Sequence, residues 1–226
     1  MKFMLNIILL QASTSAENPS LNLLDLAFKG GWIMLPILVL SMVAIFIFID
    51  RYLAVKQAGK INYSLLDEVK SFVEQGKRKE ALALMSQEDS PIARMLEKGI
   101  THIDRPMAEV NAAIEMVGNL EVSKLEKGLP VLASVAGGAP MIGFLGTVMG
   151  MIQAFYDMAS AGSNIDVTLL SSGIYQAMVT TAAGLTVGII AYFAYNIMVS
   201  SVEKVVFKME AATSDFLDLL NKTPKA

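Results

Sequence analysis

The chain has no cysteine and only one histidine, His102, in 226 residues. Disulfides, thiolate catalysis, thiolate metal sites and histidine clusters are therefore excluded. Charge is scarce too: Lys, Arg, Asp and Glu make up 17% of the residues and the net charge is −3, so nothing draws the chain to nucleic acid in bulk. No Ser/His pair, paired Asp or metal-ligand set falls inside the apolar runs, so no intramembrane enzyme and no metal or cofactor are expected. What is plentiful is apolar. At 54% hydrophobic residues the chain reads as a small polytopic membrane protein with a sizeable part outside the lipid.

Three runs are long enough to cross a bilayer, which takes about 20 mostly apolar residues. They are residues 32–50, 129–156 and 169–199. Of the 18 Lys and Arg, 12 lie in 51–128, four after residue 199, two before residue 32, and none in the 157–168 loop. The positive-inside rule then places 51–128 and the tail 200–226 in the cytoplasm, with the N-terminus and the 157–168 loop outside. Arg51 marks the inner boundary of the first span.

Lys2, the short apolar stretch 3–10 and Thr14-Ser15-Ala16 have the layout of a cleavable signal peptide over 1–16; an uncleaved outer tail is the alternative. Within 17–31, Leu21, Leu24, Ala27 and Phe28 share a face, as in a short interfacial helix before Gly30-Gly31 turns the chain inward. In the cytoplasmic part, Leu65, Leu66, Val69, Phe72 and Val73 recur at helical spacing up to Gly76. Ser90-Pro91 signals a helix start and Gly99 a stop, leaving His102 in an exposed loop. From Pro106 a helix is expected to run up into the second span, bent at Pro130 or Pro140. Val202, Val205, Met209, Ala212, Phe216 and Leu219 alternate by three and four, a seam for the chain's own helices or for another subunit.

At about 100° per residue, Ala136, Ala139, Gly143, Gly146, Thr147, Gly150 and Ala154 share one face of the second span. Ala177, Thr181, Gly184, Gly188 and Ala191 form a matching stripe in the third, and each stripe contains a small-xxx-small pair suited to close helix packing. Thr147, Gln176, Thr180 and Thr181 bring hydroxyls and an amide into the bilayer, either as ordinary interhelical hydrogen bonds or as the lining of a wet pore. Neither span holds a carboxylate, His, Lys or Arg. Moving protons across a membrane normally needs a group that changes charge. In a proton-driven device the carrier must therefore come from a partner helix, expected to enter the small-residue face.

The stretch GAPMIGFLGTVMGMIQAF at 138–155 resembles the signature of the MotA/TolQ/ExbB proton-channel family, and GIYQAMVTTAAGL at 173–185, with Tyr195-Asn196, resembles its companion. Gly30-Gly31 and Arg51 also fit, and three spans favour the ExbB and TolQ branch. The resemblance implies an all-α membrane protein assembling as a ring-shaped homopentamer around the spans of an ExbD or TolR dimer. An aspartate of that partner would relay protons, and the force would pass to TonB or TolA to act on the outer membrane from the bacterial inner membrane. By position, Thr147 and Thr181 match threonines that face the partner's carboxylate. Gln176 stands where many ExbB and TolQ members have glutamate, so no role of that glutamate carries over. Two rivals stay open: a self-sufficient ion channel, which would conduct alone, and a passive scaffold, indifferent to the proton gradient.

Overall fold

The computed structural model describes residues 30–60, 63–160 and 167–222. Both the signal or outer tail expected over 1–16 and the interfacial face at 21–28 lie outside them. Seven helices make up the described chain: α1 Met34–Ala58, α2 Tyr63–Glu74, α3 Arg78–Ser86, α4 Pro91–Thr101, α5 Met107–Glu126, α6 Leu129–Ser160 and α7 Val167–Lys222. The three stretches long and apolar enough to cross a membrane are supplied by α1, by α5 with α6, and by α7. At about 1.5 Å per residue, the 56 residues of α7 run to about 84 Å, far more than a hydrocarbon core about 30 Å thick. α7 therefore extends well past the lipid.

The chain divides into two compact units, one of the described residues up to Val39 with Gly138–Val187, the other beginning Leu40–Gly137 and completed by the rest of α7. The second unit holds a continuous apolar core. Val55 from α1, Val69 and Val73 from α2, Ala81 and Met85 from α3, Ile92, Leu96 and Ile100 from α4 and Ile114 from α5 all meet there. Val202, Val205, Met209 and Phe216 of α7 complete it, each no more than 5% exposed. The three-and-four seam of the tail is thus taken up by the chain's own helices.

Local chemistry explains the breaks. Ser90 caps α4 by accepting from the Ala93 N–H at 3.2 Å, with Pro91 in the first turn where its missing N–H goes unneeded. Gly99 corrects the expected stop: it lies inside α4, buried, where a side chain would collide with Ile114 and Phe216. His102 is half-buried rather than looped out, ending α4 with its ring 3.0 Å from the Lys98 carbonyl. The expected continuous helix from Pro106 into the second span is also corrected. Gly128, at φ +86°, ends α5, and its carbonyl accepts from Val131 and Leu132 to start α6. Pro130 therefore sits in a first turn, which tolerates it, and the break falls two residues earlier. Pro140 is inside α6, where it removes the rung to the Ala136 carbonyl while the helix continues.

Two polar contacts tie the second unit together. Arg51 bonds Asp50 through Nε at 2.9 Å and donates at 3.0 Å to the Lys124 carbonyl, in the last turn of α5, where cations complement the helix dipole. Glu121 is only 3% exposed and is held by Arg94 at 2.6 Å and Lys124 at 2.7 Å. Burial pushes the Glu121 carboxyl up, but the two cations outweigh it and hold it below the usual 4.5. A carboxyl lowered by folding stabilises above its unfolded pKa and loses that contribution as pH falls through the folded value. Thermal unfolding in detergent should accordingly worsen below about pH 4.5 in the parent. Glu121→Gln should cost about 1–3 kcal/mol at neutral pH, leaving Arg94 with Asp89 alone and Lys124 without its acid partner, and should flatten that acid slope. Identical midpoints for parent and variant at neutral pH would show the ion pair contributes nothing.

Candidate functional site: a hydroxyl pair on a glycine seam

In the first unit, α6 and α7 meet through their small residues. A methyl carbon at Gly143 would lie 2.9 Å from the Thr180 carbonyl oxygen and 3.1 Å from Gly184 Cα. At Gly150 it would lie 3.0 Å from the Gly173 carbonyl oxygen, and at Gly184 2.5 Å from the Ala139 carbonyl oxygen. Ala139, Ala154 and Ala177 are at most 1% exposed along the same seam. Without side chains in the way, the two backbones approach closely enough for dispersion and weak Cα–H···O contacts to hold the pair together. Gly188 and Ala191, farther along α7, are also buried.

This corrects the expectation that a partner helix enters the small-residue face. That face is already filled by the chain itself, because each stripe is the other's best fit. The opposite faces are bulky and open: Met141, Phe144, Ile152, Met178, Ile189 and Ile190 are each more than half exposed. Such faces suit lipid or neighbouring membrane helices.

At the edge of the seam sits a small polar group. Thr181 donates from Oγ1 to the Gly143 carbonyl at 3.0 Å, and Thr147 Oγ1 lies 3.4 Å from the same oxygen. The Thr147 and Thr181 hydroxyls also bond one another. Both side chains are half-buried, so one side of the pair stays accessible. Each hydroxyl has one proton and two lone pairs. With one proton on the Gly143 carbonyl and one between the two oxygens, both donors are used internally, and the accessible side presents lone pairs.

The remaining expected site residues separate. Thr180 cannot line a pore: it is 0% exposed, its hydroxyl donates to the Ala177 carbonyl at 2.9 Å, and it fills the space that Gly146 leaves open. Its identity is a packing matter, satisfied one turn back on its own helix. Gln176 is half-buried, its amide set against Gly31, whose φ of +71° and lack of a side chain make room for it. Gly31 as the seat of Gln176 was missed from sequence, where Gly30-Gly31 reads only as a turn.

These features define a multi-pass all-α membrane protein whose paired spans carry hydroxyls and amides but no carboxylate, His, Lys or Arg. The chain belongs to the MotA/TolQ/ExbB proton channel family, whose model matches residues 87–211, from just before α4 through most of α7. It is 31% identical to a protein of Methanothermobacter thermautotrophicus described as a biopolymer transport protein ExbB homolog, over 65% of this chain and 51% of that one. It is 30% identical to an ExbB-like biopolymer transport protein of Synechocystis over 79% of this chain and 71% of the relative. With the Tol-Pal system protein TolQ of Haemophilus influenzae it shares 38% identity over 37% of this chain and 36% of the relative. The chain thus spans about half the length of the first of these and about a third of the last.

Proposed function

We propose that this chain is the wall-forming subunit of an ExbB/TolQ-like device driven by the proton-motive force in the bacterial inner membrane, its N-terminus periplasmic and its C-terminus cytoplasmic. Five copies form a ring around the spans of an ExbD/TolR-like single-span protein, whose intramembrane Asp carries the proton. The motion is passed to a TonB/TolA-like protein that acts on the outer membrane. One observation carries this reading: the second and third spans hold an accessible hydroxyl pair and no Asp, Glu, His, Lys or Arg. The wall can receive a proton carrier but cannot be one.

The geometry supports a definite order of events. A protonated partner carboxyl is a donor, and the lone pairs of Thr147 and Thr181 accept from it without disturbing the Gly143 bond. Deprotonation turns the carboxyl into an acceptor-only group facing acceptors, so it must leave the pair or force a hydroxyl to rotate away from its internal bond. Neutral docking and charged release would convert proton passage into displacement of one component against the other.

Reconstitution tests it. Proteoliposomes holding this chain with its single-span partner should take up protons down an imposed gradient, while the chain alone, or with the partner's Asp changed to Asn, should show background flux. Strong flux from the chain alone would favour a self-sufficient channel and sink the proposal.

A further inference from the structure

The geometry points to a docking groove between α5 and α7, outside the spans, for a Lys- and Arg-rich amphipathic helix. Two adjoining cavities of about 340 and 390 Å³ lie between these helices and share Val122, Val206 and Glu210. They form one furrow from Leu129 and Val199, at one end of the last two spans, to Asn111 and Leu217. From Asn111 to Glu126 the furrow follows 16 residues of helix, about 24 Å, the length of a helical segment of about 15 residues.

Its chemistry has two parts. The floor is apolar, and Phe207, 71% exposed, flanks it, with Met116 and Leu120 exposed on the adjoining face of α5. These three stand beyond the apolar spans, where lipid gives no reason for their exposure. The rim is acidic: Glu115, Glu126, Glu203 and Glu210 line the cavities, no Lys or Arg does, and none of the four holds an ion pair among the described residues. An apolar floor with single-sign walls fits an amphipathic helix of opposite charge.

The furrow's position narrows the occupant. It opens where α6 and α7 enter the membrane on the side assigned to the cytoplasm, and segments leaving a membrane on that side are enriched in Lys and Arg. The occupant is accordingly the basic cytoplasmic juxtamembrane segment of a single-span protein. Only that last assignment rests on the function proposed above; the acidic groove stands without it.

The test uses the full chain in phosphatidylcholine nanodiscs and a fluorescein-labelled helical peptide of Leu and Lys, about 15 residues long, read by anisotropy against empty nanodiscs. A Leu/Glu peptide of the same pattern is the control. Glu203→Gln with Glu210→Gln should weaken Leu/Lys peptide binding at least tenfold and flatten its salt dependence. Unchanged binding, or equal affinity for the Leu/Glu peptide, overturns the inference. Because the chain has no cysteine, Phe207→Cys introduces a single thiol. Its protection from alkylation by the Leu/Lys peptide supports the groove, whereas full protection of that thiol with no peptide present would show that a second copy fills it. No Leu/Lys peptide binding by the unsubstituted chain, with its proton flux intact, removes this inference alone; absent flux with peptide binding intact removes only the proposed function.

Discussion

Gly184→Val should leave the third span unable to seat on the second, so that little folded protein survives extraction in mild detergent. The first added carbon alone would lie 2.5 Å from the Ala139 carbonyl oxygen, 2.8 Å from Gly143 Cα and 3.1 Å from Gly143 N. All three are backbone atoms of α6, so no side chain can rotate aside. Overpacking a rigid contact typically costs about 1–3 kcal/mol, and a β-branched residue against backbone belongs at or above the top of that range. Gly137→Ala is the matched control. It also sits in α6, with nothing within 4 Å of an added carbon, and should be neutral or stabilising by up to about 1 kcal/mol. Gel filtration and the thermal midpoint by circular dichroism distinguish the two. Equal behaviour of both variants would show that the glycine seam does not hold the spans together.

Thr181→Val should cut proton flux through the chain–partner complex by about 2–12-fold while the complex still assembles. Valine keeps the shape and loses the hydroxyl, which removes the bond to the Gly143 carbonyl and one of the two accessible acceptors. That carbonyl keeps its helical N–H partner, so no buried group is orphaned and the fold should survive. Losing a hydrogen bond to a neutral carboxyl is worth about 0.5–1.5 kcal/mol, which sets the size of the effect. Thr181→Ser, which restores the hydroxyl without the methyl, should recover most of the flux. Thr180→Val separates position from chemistry: its hydroxyl serves only the Ala177 carbonyl, so flux should change far less than at Thr181. A Thr181→Val complex with parental flux would remove Thr181 from the proton path.

The comparison of Thr180 with Thr181 shows how far helical periodicity reaches. A single helix wheel places the two 100° apart, close enough for both to be read as facing a pore. Which one is sealed depends on where α6 crosses α7, and that is set by Gly143 and Gly146 on the other helix. Gly99 fails for a related reason. Glycine commonly ends helices, but here its lack of a side chain is needed because Ile114 and Phe216 pass over it, a fact carried by residues distant in sequence. Helix α3 left no readable signal, since its nine residues bury only Ala81 and Met85, too few for a period to emerge.

Composition and residue order alone determined that the chain is helical, polytopic and apolar enough for three spans, and that the last two contain no Asp, Glu, His, Lys or Arg. These follow from one-dimensional quantities: run length, charge count and the 3.6-residue period. Packing decided the rest. The small-residue stripes could have served a partner as well as each other, and the tail seam another subunit as well as this one, because a face on a helix specifies what it needs and not who supplies it. Only the folded chain resolves that choice, by bringing Gly184 onto Ala139 and Gly143, and Phe216 into the core beside Gly99.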